Sequence, residues 1–94
     1  MLTGKQKSEL RGIAQTKKAL FQIGKDAITE NMIKTVNDSL EAHELVKINL
    51  LKTCALSANE AAIEMSAQTH SDVVQVIGRT FTLYRKSKKN KLGM

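Results

Sequence analysis

The chain has 94 residues, of which 41% are hydrophobic and 26% charged, with a net charge of +6 and one cysteine. That length suits one small domain, burying about 60–65% of the surface its unfolded form exposes. The sequence has no apolar run of the ~18 residues that a membrane span needs, its first residues lack the apolar stretch of a secretory signal, and Cys54 has no internal disulfide partner. The expectation is a cytoplasmic protein without contact to a membrane.

In chain order, Thr3 reads as an N-cap with Gln6 as its capping-box partner. Leu10, Ile13 and Ala14 then share one side of a first helix, which ends near Lys17. Lys7 and Arg11 lie four apart on a polar stripe beside that apolar face. "ALFQI", 19–23, is short, apolar and followed by Gly24: a first strand. Thr29 caps a second helix, with Met32, Ile33, Val36 and Leu40 at helical spacing through about Ala42. In "LVKINLL", 45–51, Val46, Ile48 and Leu50 alternate with polar residues: a second strand.

Ser57 and Glu60 form a second capping box. It opens a third helix with Ala61, Ala62, Met65 and Thr69 inward. "DVVQVI", 72–77, is a β-branched third strand, and Gly78-Arg79 turns it into a fourth, "TFTLYR", 80–85. There Phe81 and Leu83 alternate with Thr80, Thr82 and Tyr84, which puts Tyr84 on the polar side of its strand. The order is α-β-α-β-α-β-β. Strands separated by helices predict parallel pairing and the last pair predicts a hairpin, giving an α/β domain with a mixed four-stranded sheet and packed helices. That domain is expected over 1–86, and residues 87–94 read as a basic, flexible tail.

The charge is segregated along the chain. Residues 1–25 carry six basic groups (Lys5, Lys7, Arg11, Lys17, Lys18, Lys25) against Glu9. Residues 26–78 carry three basic groups against eight acids. Residues 79–94 carry Arg79, Arg85, Lys86, Lys88, Lys89 and Lys91 and no acid. If the fold brings the two ends together, they make one basic surface that attracts a polyanion. A solubilising surface with a solvated tail is the plainer alternative for any single lysine.

The stretch "FQIGKDAITEN" places a Gly-Lys turn between a strand and a helix. Gly24 permits close approach of another backbone, the amides before and within the first turn of the helix from Thr29 favour an anion, and Lys25 adds a full charge. Asp26 opposes that, and the spacing is not that of a nucleotide P-loop. Arg79 at the hairpin tip can hold a phosphate or stack on a base, and Tyr84 beside Arg85 can stack on an unpaired base or cover a sheet edge. With two Phe, one Tyr and no Trp, RNA recognition would rest on phosphate and shape. His43, His70 and Cys54 lack the spacing of metal ligands, and no nucleophile–base or paired-carboxylate pattern stands out, so neither a cofactor, a metal, a small-molecule substrate nor catalysis is expected.

Three blocks, "LTGKQKSELR", "FQIGKDAITENMI" and "VQVIGRTFTLYR", resemble the YhbY-type CRM-domain family (chloroplast RNA splicing and ribosome maturation) in order and spacing over roughly residues 2–86. The resemblance implies a domain similar to the C-terminal domain of bacterial translation initiation factor three. It implies a protein that binds ribosomal RNA in precursors of the large subunit. The family's GxxG loop falls on Gly24, Lys25, Asp26 and Ala27, with alanine in place of the second glycine. Arg79 and Arg85 match its basic hairpin positions. The expected RNA-contacting set is therefore Gly24, Lys25, Asp26, Ala27 and Thr29, with Lys5, Lys7, Arg11 and Lys18, and with Arg79, Tyr84, Arg85, Lys86 and Lys88. A monomer is expected. The alternative is a module that docks on an acidic, ribosome-associated protein.

Overall fold

Seven elements form where caps and periodicity put them, in a computed structural model that describes residues 3–16, 18–25 and 28–86. They are α1 (Gly4–Gln15), β1 (Phe21–Ile23), α2 (Glu30–His43), β2 (Leu45–Leu50), α3 (Ala58–Thr69), β3 (Asp72–Ile77) and β4 (Thr80–Tyr84). Both capping boxes close. Thr3 Oγ1 accepts from the Gln6 amide at 3.1 Å while Gln6 Oε1 accepts from the Thr3 amide at 3.0 Å. Ser57 and Glu60 repeat the exchange at 3.1 and 3.2 Å. Thr29 caps α2 by accepting from the Met32 amide at 3.2 Å. Each such cap stabilises its helix by about 1 kcal/mol.

The sheet order is β1-β2-β4-β3. β1 lies parallel to β2, with Phe21 opposite Ile48 and Ile23 opposite Leu50. β4 is antiparallel to both neighbours, so β2 and β3 run in the same direction. They are not adjacent, because β4 occupies the place between them. Burial explains that placement. β4 is covered on both faces, with Phe81, Thr82, Leu83 and Tyr84 all buried. β3 keeps one apolar and one partly wet face and takes the edge, where a bulge between Val73 and Gln75 breaks its ladder.

Two cores result. On one face, Val36 and Leu40 of α2 and Ala61, Ala62 and Met65 of α3 cover Ile23, Val46, Ile48, Leu50, Phe81 and Leu83. The alanines let α3 approach the sheet closely. On the other face, Leu10 and Ala14 of α1 pack on Leu45, Val74 and Tyr84. Burying each large side chain contributes roughly 1.5–3 kcal/mol. α1 thus overturns the expectation for Tyr84. The ring is 4% exposed and faces a helix, not solvent, so no base can stack on it.

Candidate nucleic-acid interface

Three loops meet beyond the C-terminal ends of β1 and β2. The Leu51 amide donates to the Ile23 carbonyl at 2.8 Å, and the Leu50 amide donates to the Arg79 carbonyl at 2.7 Å. These two bonds tie the Gly24 turn, the 51–57 loop and the hairpin tip into one end of the molecule. Lys25, Lys52 and Arg79 are all exposed there. A cavity of about 300 Å³ opens between the 51–57 loop and the hairpin tip, its lining including Leu50, Lys52, Cys54, Ser57, Gly78 and Arg79.

The same end receives the starts of α2 and α3, because each follows its parallel or co-directional strand directly. Their dipoles add positive potential at the strand carboxyl ends, where open α/β sheets bind ligands. Thr29 and Ser57 each take one amide as a cap, and Glu30 and Glu60 in the first turns offset part of the field. Among the described residues of these loops and first turns, Lys25, Lys52 and Arg79 give three full positive charges against those two carboxylates.

Lys52 was not singled out by sequence reasoning. The signal was present: Lys52 stands two residues after β2, as Lys25 stands two residues after β1.

Gly24 does not use the freedom of glycine in this conformation, since its φ is not in the left-handed region. A Cβ there would lie 3.4 Å from Leu51 Cδ1 and 3.6 Å from Thr53 Oγ1, an ordinary contact. Gly78 does use it, with φ of 57° at the first central position of the hairpin turn.

The remaining expected residues lie elsewhere. Arg85 leaves the other end of β4, about 20 Å along the strand from Arg79. Its guanidinium bonds the Thr69 carbonyl at 2.9 Å, the Asn37 carbonyl at 3.0 Å, Asn37 Oδ1 and Glu41 Oε2 at 3.3 Å. Lys86 follows it and is exposed. Lys18 stands ahead of β1 at that same end, lining a cavity of about 200 Å³ with Leu20, His43, Leu45 and Lys47. Lys5, Lys7 and Arg11 ride on α1, with Arg11 Nε donating to the Val74 carbonyl at 3.3 Å. Lys47 Nζ donates to the Ala14 carbonyl at 3.4 Å, at the negative end of the α1 dipole.

Asp26, Ala27, Lys88 and the expected tail 87–94 lie outside the described residues. The basic first helix packs beside the end of β4, on Tyr84. Arg85, next in the chain, turns instead to α2 and α3 on the other side of the sheet, and Arg79 stands at the opposite end of the strand, beside the Gly24 turn. Among the described residues, no group of three or more His, Cys, Asp or Glu is placed to hold a metal ion. No helix among them is long and apolar enough to cross a membrane.

The sequence matches the CRS1 / YhbY (CRM) domain over residues 2–85. The chain belongs to that family. This CRM-domain protein is similar to the Bacillus subtilis (strain 168) protein named "Probable RNA-binding protein YqeI", at 44% identity over 91 residues, 97% of this chain and 95% of the relative. The Pseudomonas aeruginosa relative named "Probable RNA-binding protein PA4753" is 31% identical over 88 residues, 94% of this chain and 85% of its own. The solution structure of the hypothetical protein SAV1595 from Staphylococcus aureus matches the CRM fold seen here with a TM-score of 0.83 at 48% identity, covering 98% of this chain and 96% of the other.

Proposed function

We propose that this CRM-domain protein is a non-catalytic, monomeric RNA-binding protein of the cytoplasm that contacts ribosomal RNA during assembly of the large subunit. One observation carries the reading. Lys25, Lys52 and Arg79 come from three separate loops, are exposed, and share the strand end where α2 and α3 begin. Three cations and two helix N-termini on one concave end suit the phosphates of a polyanion. The names of the relatives support RNA as that polyanion, and the net charge of +6 supports long-range attraction to it.

The mechanism is capture and positioning. Positive charge on α1 and at the strand end draws RNA in. The Gly24–Lys25 turn and the Arg79 tip then fix phosphates in register. Thr29 acts through α2, whose start it holds, and Arg85 acts through the fold.

Crosslinking in cells followed by sequencing of the attached RNA tests the assignment. Enrichment of large-subunit ribosomal RNA is expected. Crosslinks spread over messenger RNAs would overturn the ribosomal part. A main partner that survives ribonuclease would instead favour docking on an acidic protein.

A further inference from the structure

We infer that the RNA this domain takes is an A-form duplex, read through its shallow minor groove by an uncharged row of side chains across the uncovered part of the sheet. The inference rests on the RNA-binding reading above and goes beyond it by naming the form of RNA and the surface. Three observations carry it.

First, no aromatic ring is available for stacking. The chain has three, Phe21, Phe81 and Tyr84. Phe81 and Tyr84 are buried, and Phe21 packs against the larger core. His43 and His70 sit at the ends of α2 and α3, away from the Lys25 and Arg79 loops. Single strands are held by stacking bases on such rings, and this surface lacks them.

Second, α1 leaves one row of its sheet face open. It covers Tyr84 and Thr82, which is 1% exposed. Toward the Gly24 end the next row runs Gln22, Asn49, Thr80 and Ile77, in register across all four strands. Gln22 and Ile77 are exposed, while Asn49 and Thr80 are partly so. Thr80 Oγ1 donates to Asn49 Oδ1 at 3.0 Å, which fixes both on one side and leaves the Asn49 amide hydrogens facing outward from that bond. Amide and hydroxyl groups both donate and accept, as 2′-hydroxyls and base edges in an RNA minor groove require.

Third, cations stand near the row, and Arg11 reaches its edge strand by donating to the Val74 carbonyl at 3.3 Å. Lys25 and Arg79 stand at the strand end, and Lys7 and Arg11 stand on α1. The row spans about 14 Å at the usual strand spacing. Phosphates of both strands can then meet positive charge while the neutral row faces the groove floor.

Anisotropy titrations of the full chain against three labelled probes of equal nucleotide count test the inference: an RNA hairpin, a DNA hairpin of the same sequence, and oligouridine. The RNA hairpin should bind about tenfold tighter than either of the others, as two hydrogen bonds specific to it would give. Gln22→Ala, on the exposed edge strand, should lower affinity for the RNA hairpin about fivefold and leave the DNA hairpin unchanged, with an unaltered circular-dichroism spectrum. Lys25→Glu should weaken both hairpins alike. Oligouridine bound as tightly as the RNA hairpin, or RNA and DNA hairpins bound equally, overturns the duplex inference and leaves RNA binding standing. Failure to bind either RNA probe removes both.

Discussion

Arg85 Nη1 donates to the Thr69 carbonyl at 2.9 Å, and so fastens the end of β4 to the last residue of α3. Nη2 reaches the Asn37 carbonyl at 3.0 Å and Glu41 Oε2 at 3.3 Å, both on α2. One guanidinium thereby joins the C-terminal halves of both helices that cover the larger core. Its side chain is 21% exposed, and both of its terminal nitrogens are committed within the fold.

Arg85→Ala should therefore behave as a stability mutant. Hydrogen bonds to a charged group contribute about 1.5–3 kcal/mol, and the variant should lose about 2–3 kcal/mol in urea denaturation. Arg85→Lys should recover little, because a single ammonium cannot span the fork. Glu41→Gln should cost under about 1 kcal/mol, since that partner is exposed. RNA affinity of the folded Arg85→Ala protein should fall less than threefold. A loss comparable to that of Lys25→Glu would return Arg85 to the interface.

Tyr84 sets a limit at high pH. Burial pushes its phenol above its ordinary value of 10.0, and the carboxylates of Glu44 and Asp72 add to the shift. The folded state keeps the proton at a pH where the unfolded state releases it. Stability should therefore fall as pH rises above about 10. Tyr84→Phe should remove this contribution. Its effect at pH 7 should be within about 1 kcal/mol, because the hydroxyl is buried without a hydrogen-bond partner among the described residues. Denaturation midpoints of both proteins from pH 7 to 11 provide the check.

The two turn glycines should respond differently to alanine. Gly78→Ala forces a side chain into the left-handed region at φ 57° and should cost roughly 1–2 kcal/mol. Gly24→Ala meets only ordinary contacts at 3.4 and 3.6 Å and should cost well under 1 kcal/mol. Any fall in RNA affinity of the Gly24 variant, measured beside its melting curve, then reports on backbone approach by RNA.

Local signals in the sequence carried the elements. Thr3 with Gln6 and Ser57 with Glu60 fixed two helix starts, and the alternation of Val46, Ile48 and Leu50 fixed β2. The inward set Ala61, Ala62, Met65 and Thr69 is the buried set of α3. β1 is shorter than its apolar run: Ala19 and Leu20 are exposed, and Leu20 keeps one bond to β2, from its amide to the Lys47 carbonyl at 2.9 Å.

What periodicity could not supply was anything set by long-range neighbours. The insertion of β4 between β2 and β3 depends on α1 covering a second face. On the side of that helix Thr82 and Tyr84 are buried, while Thr80, at the far end of the same alternation, stays partly exposed. Charge counted along the chain also says nothing about which end of a strand a residue reaches. Arg79 and Arg85 flank one strand and stand at opposite ends of it, while Lys25 and Lys52, 27 positions apart in sequence, follow the same end of two parallel strands.

The most direct test is the salt dependence of binding to an RNA hairpin, compared between the natural chain and the Lys25→Gln, Lys52→Gln, Arg79→Gln triple variant. Three lost phosphate contacts should make the slope of log affinity against log salt shallower by about 2.7, with the fold retained. An unchanged slope in a folded triple variant would show that RNA is held somewhere other than the strand end of β1 and β2.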